Sequence, residues 1–377
     1  MQKRTDFLPY STQQISDEDI KTVIETLKSP YLTTGPKVSE FEKVVADYVG
    51  ATYAVAFSNG TAALHAACYA AGITQGDEVI TTPITFAASA NCVRYMGGEV
   101  IFADIDEETY NLDPKEVEKK ITSKTKAIIP VDFTGQPVDI DAFMEIGKKH
   151  NIVIIEDGAH SLGASYKKRK VGATADMTMF SFHPVKPITT GEGGMIVTNN
   201  RTYYEKLCLF RGHGITQTAY AKEQGDWYYE MTDLGYNYRM TDIQAALGIS
   251  QMNRLDEFIE KRQELANLYT EKINQLPTLK APNQLADTKS GWHLYSVQLD
   301  EVALGKTRKE VFEDLRNANI GVHVHYIPVY WHPYYQELGY KKGICPKAEQ
   351  WYERALTLPL HPQMNEADVD FVLSYFK

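Results

Sequence analysis

No long apolar run interrupts this sequence, and its N-terminal stretch MQKRTDFLPYSTQQ carries no apolar signal core. Both absences point to the cytoplasm and away from a membrane. Cysteine is scarce. Cys68, Cys92, Cys208 and Cys345 have neither CxxC nor metal-ligand spacing, so they read as reduced core thiols. Positive charge is short as well: a net charge of −10 and a pI near 5.5 argue against nucleic acid as a partner. Any anionic substrate must then be held by local groups. No GxGxxG follows the first strand, which removes a nicotinamide oxidoreductase, and there are no internal repeats or low-complexity tracts.

What is present is alternation. Apolar runs at 78–82, 99–103, 127–131, 152–155, 177–182 and 194–198 take turns with helical patterns, which implies an α/β fold around a mostly parallel sheet. Asp113 and Pro114 with Glu116 read as an N-cap, a first-turn proline and a capping glutamate. A periodic segment from Thr241 to about Gln275 predicts one long connector helix. Beyond Pro277 the pattern changes to an alternating strand in HLYSVQL, a capping-box helix at Thr307 with Glu310, and a strand over 321–326. With 377 residues, 43% of them hydrophobic, the chain can fill two domains. We place a large domain with an N-terminal arm at 1–250, and a connector helix with a small α+β domain at 251–377.

The most informative stretch is SFHPVKPITTGEGG, which sets Lys186 between an aromatic strand end and a glycine-rich exit. A lysine kept dry by Phe182 and His183 is partly neutral near pH 7, and a neutral amine forms a Schiff base with an aldehyde. That chemistry points to pyridoxal phosphate. The run NIVIIEDGAHSLGA reads as a buried strand delivering Glu156, Asp157 and His160 to its carboxyl end. A carboxylate bonded to the cofactor's ring nitrogen keeps it protonated, and Asp157 suits that role, although Asp-Gly alone reads as a turn. Between Asp157 and Lys186 there is room for one hairpin or crossover (163–175) and a return strand (177–182), so the two can meet across neighbouring strand ends. SNGTAALHAACYAAG opens a helix whose N–H groups at Gly60, Thr61 and Ala62 fit a phosphate; on its own it reads equally as an ordinary capped turn. In TTPITFAASAN, Phe86 is either a platform for the cofactor ring or a core aromatic.

Cradle, aromatic, carboxylate and lysine follow one another in that order, each just after a strand. In SFHPVKPITTGEGG, TTPITFAASAN, GYNYRMTDIQAALG and VHVHYIPVY, the chain resembles the DegT/DnrJ/EryC1/StrS family, the sugar-nucleotide branch of fold-type-I pyridoxal-phosphate aminotransferases. The likeness covers essentially its whole length. Softer details, the histidine in FHPVKPIT and the His-Tyr pair, lean towards the pseudaminic acid pathway. The resemblance implies an aspartate-aminotransferase-like fold with a seven-stranded sheet, and a homodimer with shared active sites. It implies that Lys186 holds pyridoxal 5′-phosphate, with pyridoxamine 5′-phosphate as the intermediate form. Asp157 would serve the ring nitrogen, His160 the ring-hydroxyl side, and Gly60, Thr61 and Ser181 the phosphate. Asn237 would reach in from the partner subunit, and Arg239 would pair with a donor carboxylate in two parallel bonds. Tyr10, the segment Pro30, Tyr31, Leu32 and Thr33, and the segment His323, Val324, His325 and Tyr326 would embrace a sugar nucleotide. His323 and His325 also alternate as a metal pair would, but no third ligand lies near in sequence, and no metal is expected.

The implied reaction carries an amino group from L-glutamate to the C4 keto carbon of a UDP-linked 4-keto-6-deoxy-N-acetylhexosamine. Bacillosamine-type and perosamine-type sugars remain alternatives. A sugar dehydratase of this group carries histidine where Lys186 stands, and a ligand sensor would need an added DNA-binding domain.

Overall fold

The computed structural model describes residues 3–377. Its central sheet has seven strands: β1 (Tyr53–Phe57), β2 (Glu78–Thr81), β3 (Glu99–Phe102), β4 (Thr125–Ile129), β5 (Val153–Asp157), β6 (Met177–Ser181) and β7 (Gly194–Thr198). They lie in the order β1-β7-β6-β5-β4-β2-β3. Only β7 runs against the rest, pairing antiparallel with both β1 and β6. Each strand is short, apolar and rich in β-branched or aromatic residues, as a sheet covered on both faces requires. The covering layers bury Phe41, Phe57, Phe133, Phe143, Phe180 and Phe182 almost completely. Each such ring contributes roughly 2–3 kcal/mol of burial free energy before the cost of ordering it.

Helix α1 (Gly60–Ala70) is alanine-rich and buried along nearly its whole length, because small side chains let it lie flat on the strands. A second, three-stranded antiparallel sheet joins β8 (Leu279–Lys280), β9 (Tyr295–Leu299) and β10 (Ala355–Leu358) in the order β8-β9-β10. Around it a separate core gathers Tyr269, Tyr295, Leu315, Ile320, Leu358 and Phe376. The N-terminal arm bridges to this part: Leu8 pairs with Ile320, and the Leu360 N–H donates to the Tyr10 carbonyl. Val329, Tyr330, Tyr335, Trp351 and Ala355 pack instead into the core of the large sheet.

Three expectations change. The connector is two helices, α2 (Asp242–Met252) and α3 (Leu255–Ile273), broken at Asn253 and Arg254. Residues 321–326 form no strand; their only ladder contact is a single bridge, His323 to Thr357, on the outer edge of β10. Asp113 does cap its helix, but Glu116 turns outward to Lys119. The capping box of Thr307 and Glu310 is formed, at the start of helix α4 (Arg308–Asn317). No helix among the described residues is long and apolar enough to cross a membrane.

Candidate active site

Strand β5 ends by delivering Asp157 into the interior, beside β6, with Asp157 registered against Met179. Its main chain is pinned on both sides: the N–H donates to the Pro130 carbonyl at 2.8 Å, and its carbonyl accepts from the Asp132 N–H at 3.1 Å. Its carboxylate is pinned as well. Ser89 Oγ donates to Oδ2 at 2.6 Å, the Ala159 N–H donates to Oδ1 at 3.1 Å, and Ser89 Oγ lies 2.7 Å from Thr85 Oγ1. Burial pushes the Asp157 pKa up, against those two hydrogen bonds and the charge of Lys186.

Lys186 hangs from a loop closed at its base, where the Phe182 N–H donates to the Gly193 carbonyl and the Thr190 N–H donates to the Phe182 carbonyl. The arm straps this loop through Ser11 Oγ, which donates to the Val185 carbonyl at 3.2 Å. Desolvation pushes the Lys186 pKa down to about 8, with Asp157 pulling the other way. At that value a substantial fraction of the amine is neutral near physiological pH. The drying neighbours differ from those the sequence suggested. Phe182 packs away against Phe41, and His183 is exposed. The lysine meets a buried histidine cluster instead: its Nζ lies 3.4 Å from His293 Nε2, and the His293 and His160 rings are 4.5 Å apart.

His160 is buried with Nε2 3.2 Å from the Tyr326 hydroxyl, while its Nδ1 has no partner. Burial, followed by the lysine charge, holds its pKa well below the usual range, so the ring is neutral. His325 is buried 2.8 Å from Thr357 Oγ1. Arg262 is completely buried without a carboxylate, and one of its nitrogens donates to the carbonyls of Trp292, His293 and Leu360.

The strand-end turn before α1 gives Asn59 as N-cap, accepting from the Ala62 N–H at 2.8 Å. The cap therefore takes one of the three expected donors. Gly60 and Thr61 stand in the first turn, where the helix offers its N–H groups no acceptor. Glycine is needed here for proximity: a Cβ on Gly60 would sit 3.3 Å from Ser181 Cβ, and one on Gly194 would come within 2.6 Å of the Asn59 carbonyl. Gly60 and Ser181 thus face each other across the ends of β1, β7 and β6. Phe86 is 64% exposed, which rejects the core-aromatic alternative, and its ring is 6.5 Å from Tyr326.

Of the substrate-side residues, the Tyr10 ring lies tilted 5.8 Å from His323 and 5.5 Å from His325. Val324 and Tyr326 are half-buried on the same segment, so this group does come together. Pro30, Tyr31, Leu32 and Thr33 form an exposed turn tied by a Thr33–Thr241 bridge. Asn237 is exposed, its backbone paired with Gly212, and Arg239 is half-buried. Ser89, Thr85, His293 and Arg262 were not anticipated. Ser89 lies in TTPITFAASAN, but nothing in a helix start says that its hydroxyl points at a distant aspartate. The signal for His293 was a histidine placed just before an apolar alternating strand, where a buried polar ring needs a reason.

A buried amine, a held carboxylate beside it, a close-packed helix start and a histidine with an unpartnered buried nitrogen fit the needs of pyridoxal phosphate. Likeness to known proteins agrees. Residues 13–377 match the DegT/DnrJ/EryC1/StrS aminotransferase family. The chain is 45% identical over 377 residues to the spore coat polysaccharide biosynthesis protein SpsC of Bacillus subtilis, covering 99% of this chain and 97% of that one. It is 41% identical to the UDP-4-amino-4,6-dideoxy-N-acetyl-beta-L-altrosamine transaminase of Campylobacter jejuni, covering 97% and 95%. Among solved structures, Helicobacter pylori PseC, an aminotransferase involved in the biosynthesis of pseudoaminic acid, superposes with a TM-score of 0.92 at 34% identity, covering 98% and 99%. A sugar aminotransferase from Streptococcus pneumoniae, Spr1654 in its PMP form, gives 0.92 at 32%, covering 98% of each chain. The protein described here thus belongs to the DegT/DnrJ/EryC1/StrS aminotransferase family and is a PLP-dependent sugar aminotransferase of fold type I.

Proposed function

We propose that this enzyme moves an amino group from L-glutamate to the C4 keto carbon of a UDP-linked 4-keto-6-deoxy-N-acetylhexosamine, in the manner of pseudaminic acid biosynthesis. The observation that carries the chemistry is the partly desolvated amine of half-buried Lys186, set beside Asp157 across neighbouring strand ends. The names of the Campylobacter and Helicobacter relatives support the choice of sugar. A second reading, another 4-keto nucleotide sugar as acceptor, is favoured by the spore coat polysaccharide relative, whose name carries no pseudaminic acid step.

The bound cofactor supplies an electron sink for the pair released when a C–H bond breaks, and carries the amino group between the two substrates. The protein does the rest. Lys186 Nζ anchors the cofactor, then as a free amine takes the proton from the glutamate α-carbon, and later gives one to sugar C4. Asp157, fixed by Ser89 and the Ala159 N–H, would hold the cofactor's ring nitrogen in its protonated form. Gly60, Thr61 and Ser181 would hold its phosphate, and Phe86 and His160 would hold its ring. Tyr10 with His323, Val324, His325 and Tyr326 forms the sugar-nucleotide wall, completed by the turn Pro30 to Thr33. We assign Asn237 and Arg239 to a shared site in a homodimer; the exposed Trp227, Met231 and Leu234 on the preceding segment suit burial against a second copy. We place the division between large and small domains near residue 250.

The test has two steps. Purified enzyme is expected to show a visible cofactor band that L-glutamate bleaches, and a panel of UDP- and dTDP-linked 4-keto sugars then identifies the acceptor by product stereochemistry. A colourless protein, or one whose band ignores glutamate, ends the proposal. Faster turnover of dTDP-linked sugars would redirect only its acceptor half.

A further inference from the structure

His293 belongs to none of the motifs that announce this site, yet it is the group nearest the reacting amine. Its Nε2 lies 3.4 Å from Lys186 Nζ. It sits just ahead of β9 (Tyr295–Leu299), so it reaches the site from the second sheet rather than from the strand ends that carry Asp157 and Lys186. Its main chain is held from behind by Arg262, which donates to the carbonyls of Trp292, His293 and Leu360. That arrangement spends a fully buried cation, without any carboxylate, on the two residues Trp292 and His293 and on Leu360.

The groups facing the imidazole are Lys186, His160, Arg262 and His325, all four cationic or able to become so. Asp157 compensates the lysine rather than the histidine. A second positive charge on His293 is therefore strongly disfavoured, and the ring is neutral. A neutral imidazole accepts at one nitrogen. When Lys186 carries its proton, the acceptor must be Nε2, which leaves the proton on Nδ1, and Nδ1 is buried with no partner. A buried donor left unsatisfied costs about 1–3 kcal/mol. The fold accepts that cost to keep Nε2 turned towards the lysine.

We propose that His293 is the acceptor that docks the Lys186 ε-amine whenever that amine is not bonded to the cofactor, and so aims it for its two proton transfers. This rests on the aminotransferase reading of the same site. In the free state the amine lies at His293. On moving to the cofactor it leaves His293 behind, and on release it returns to one place rather than exploring many. No proton is transferred to His293; it holds the ammonium by a hydrogen bond while Lys186 is the acid, and the same bond limits the amine's rotation while Lys186 is the base. Proton transfer depends steeply on such aim.

The experiment compares wild type, His293→Gln, which keeps an acceptor without a titrating ring, and His293→Leu, which keeps the bulk and dryness without an acceptor. Two readouts are taken. The first is the single-turnover rate at which L-glutamate bleaches the holoenzyme band, with protium and with deuterium at the α-carbon. The second, on cofactor-free protein, is the pH midpoint for acylation of Lys186. His293→Leu is expected to keep the resting visible band, to slow bleaching by about 10- to 100-fold with KM little changed, and to enlarge the deuterium effect. Its acylation midpoint should fall, since an acceptor for the ammonium form has gone. His293→Gln is expected to recover much of each. A Leu variant with wild-type rate, isotope effect and midpoint overturns the proposal, as does a loss that tracks a lost visible band in both variants. Bleaching of the wild-type band by glutamate tests the aminotransferase reading separately, so failure of one is not failure of the other.

Discussion

Glu156 and Asp157 are consecutive residues on the same strand, equally buried, and they face opposite sides of the sheet. Asp157 looks into the site, towards Lys186. Glu156 looks the other way, into a small recess lined also by Ile140, Tyr166, Arg169 and Gly172. It accepts from Thr178 Oγ1 at 2.8 Å and from the Gly172 N–H. Arg169, the nearby cation, is spoken for by Asp141 at 2.5 Å. Burial lifts the pKa of both carboxyls, but only Asp157 has a lysine to draw it back, whereas Glu156 is pushed up to about 7. Desolvation alone therefore does not mark a functional carboxylate here. What separates the two is a cation within reach and a face open to a ligand.

The largest effect that sharpens this contrast is on the cation. Lys186→Ala is expected to abolish transfer from glutamate while still binding the pyridoxamine form, measured as product formation beside retention of the cofactor's absorbance. Asp157→Asn comes next. It keeps the shape and the Ser89 contact but gives up the charge, and a loss of roughly 10²- to 10³-fold in kcat/KM is expected, the scale of one lost electrostatic contact in a dry site. Glu156→Gln, by contrast, should leave kcat/KM within about threefold, because its side chain faces away from the site. Equal losses at 156 and 157 would erase the distinction. Between those two effects lies Ser89→Ala. It removes one of two donors to Asp157, worth about 1.5–2 kcal/mol to a charged acceptor, so a loss of about tenfold in kcat is expected with the fold intact by circular dichroism.

The legible parts were those in which chain order and spatial order coincide. Strand β5, strand β6 and the loop after it are read from apolar runs and a glycine-rich exit, and parallel pairing brings their ends together without further information. That is why Asp157 and Lys186 could be paired from the sequence. Gly60 and Ser181 follow by the same logic at the ends of β1 and β6. The illegible parts arrive from elsewhere in the chain. Ser89 meets Asp157 and His293 meets Lys186 only because a helix start and a strand of the second sheet are folded over the strand ends. No period in the sequence encodes such a meeting. The segment 321–326 failed for a related reason: it sets His323 and His325 side by side, 4.7 Å apart, but meets the outer edge of β10 only at the pair His323 and Thr357, and one bridge does not make a strand.

The smallest effect on activity carries the clearest pH signature. The Glu156 carboxyl is raised from its ordinary 4.5 to about 7 by burial in the folded protein. Between those two pH values the folded chain holds a proton that the unfolded chain has given up, so unfolding free energy falls as pH rises through the window. The contribution is fully present below pH 4.5 and gone above pH 7, a change of roughly 3 kcal/mol at about 1.4 kcal/mol per unit. His160, His293 and His325, whose pKa values are pushed down by burial, act in the opposite sense: their contribution is present above pH 6.5 and lost as pH falls. Those histidines are common to wild type and Glu156→Gln, so the difference between the two proteins reports residue 156 together with Asp132, whose buried carboxyl the Glu156 charge helps to raise. Denaturant unfolding from pH 4.5 to 8 should show the glutamine variant gaining on wild type as pH rises, ending more stable at pH 8, while turnover of glutamate stays near normal. A difference that is flat across the window would mean that Glu156 ionises freely where it sits. The carboxylate on the closed face would then be as well served as the one facing Lys186, and the contrast between them would lose its electrostatic basis.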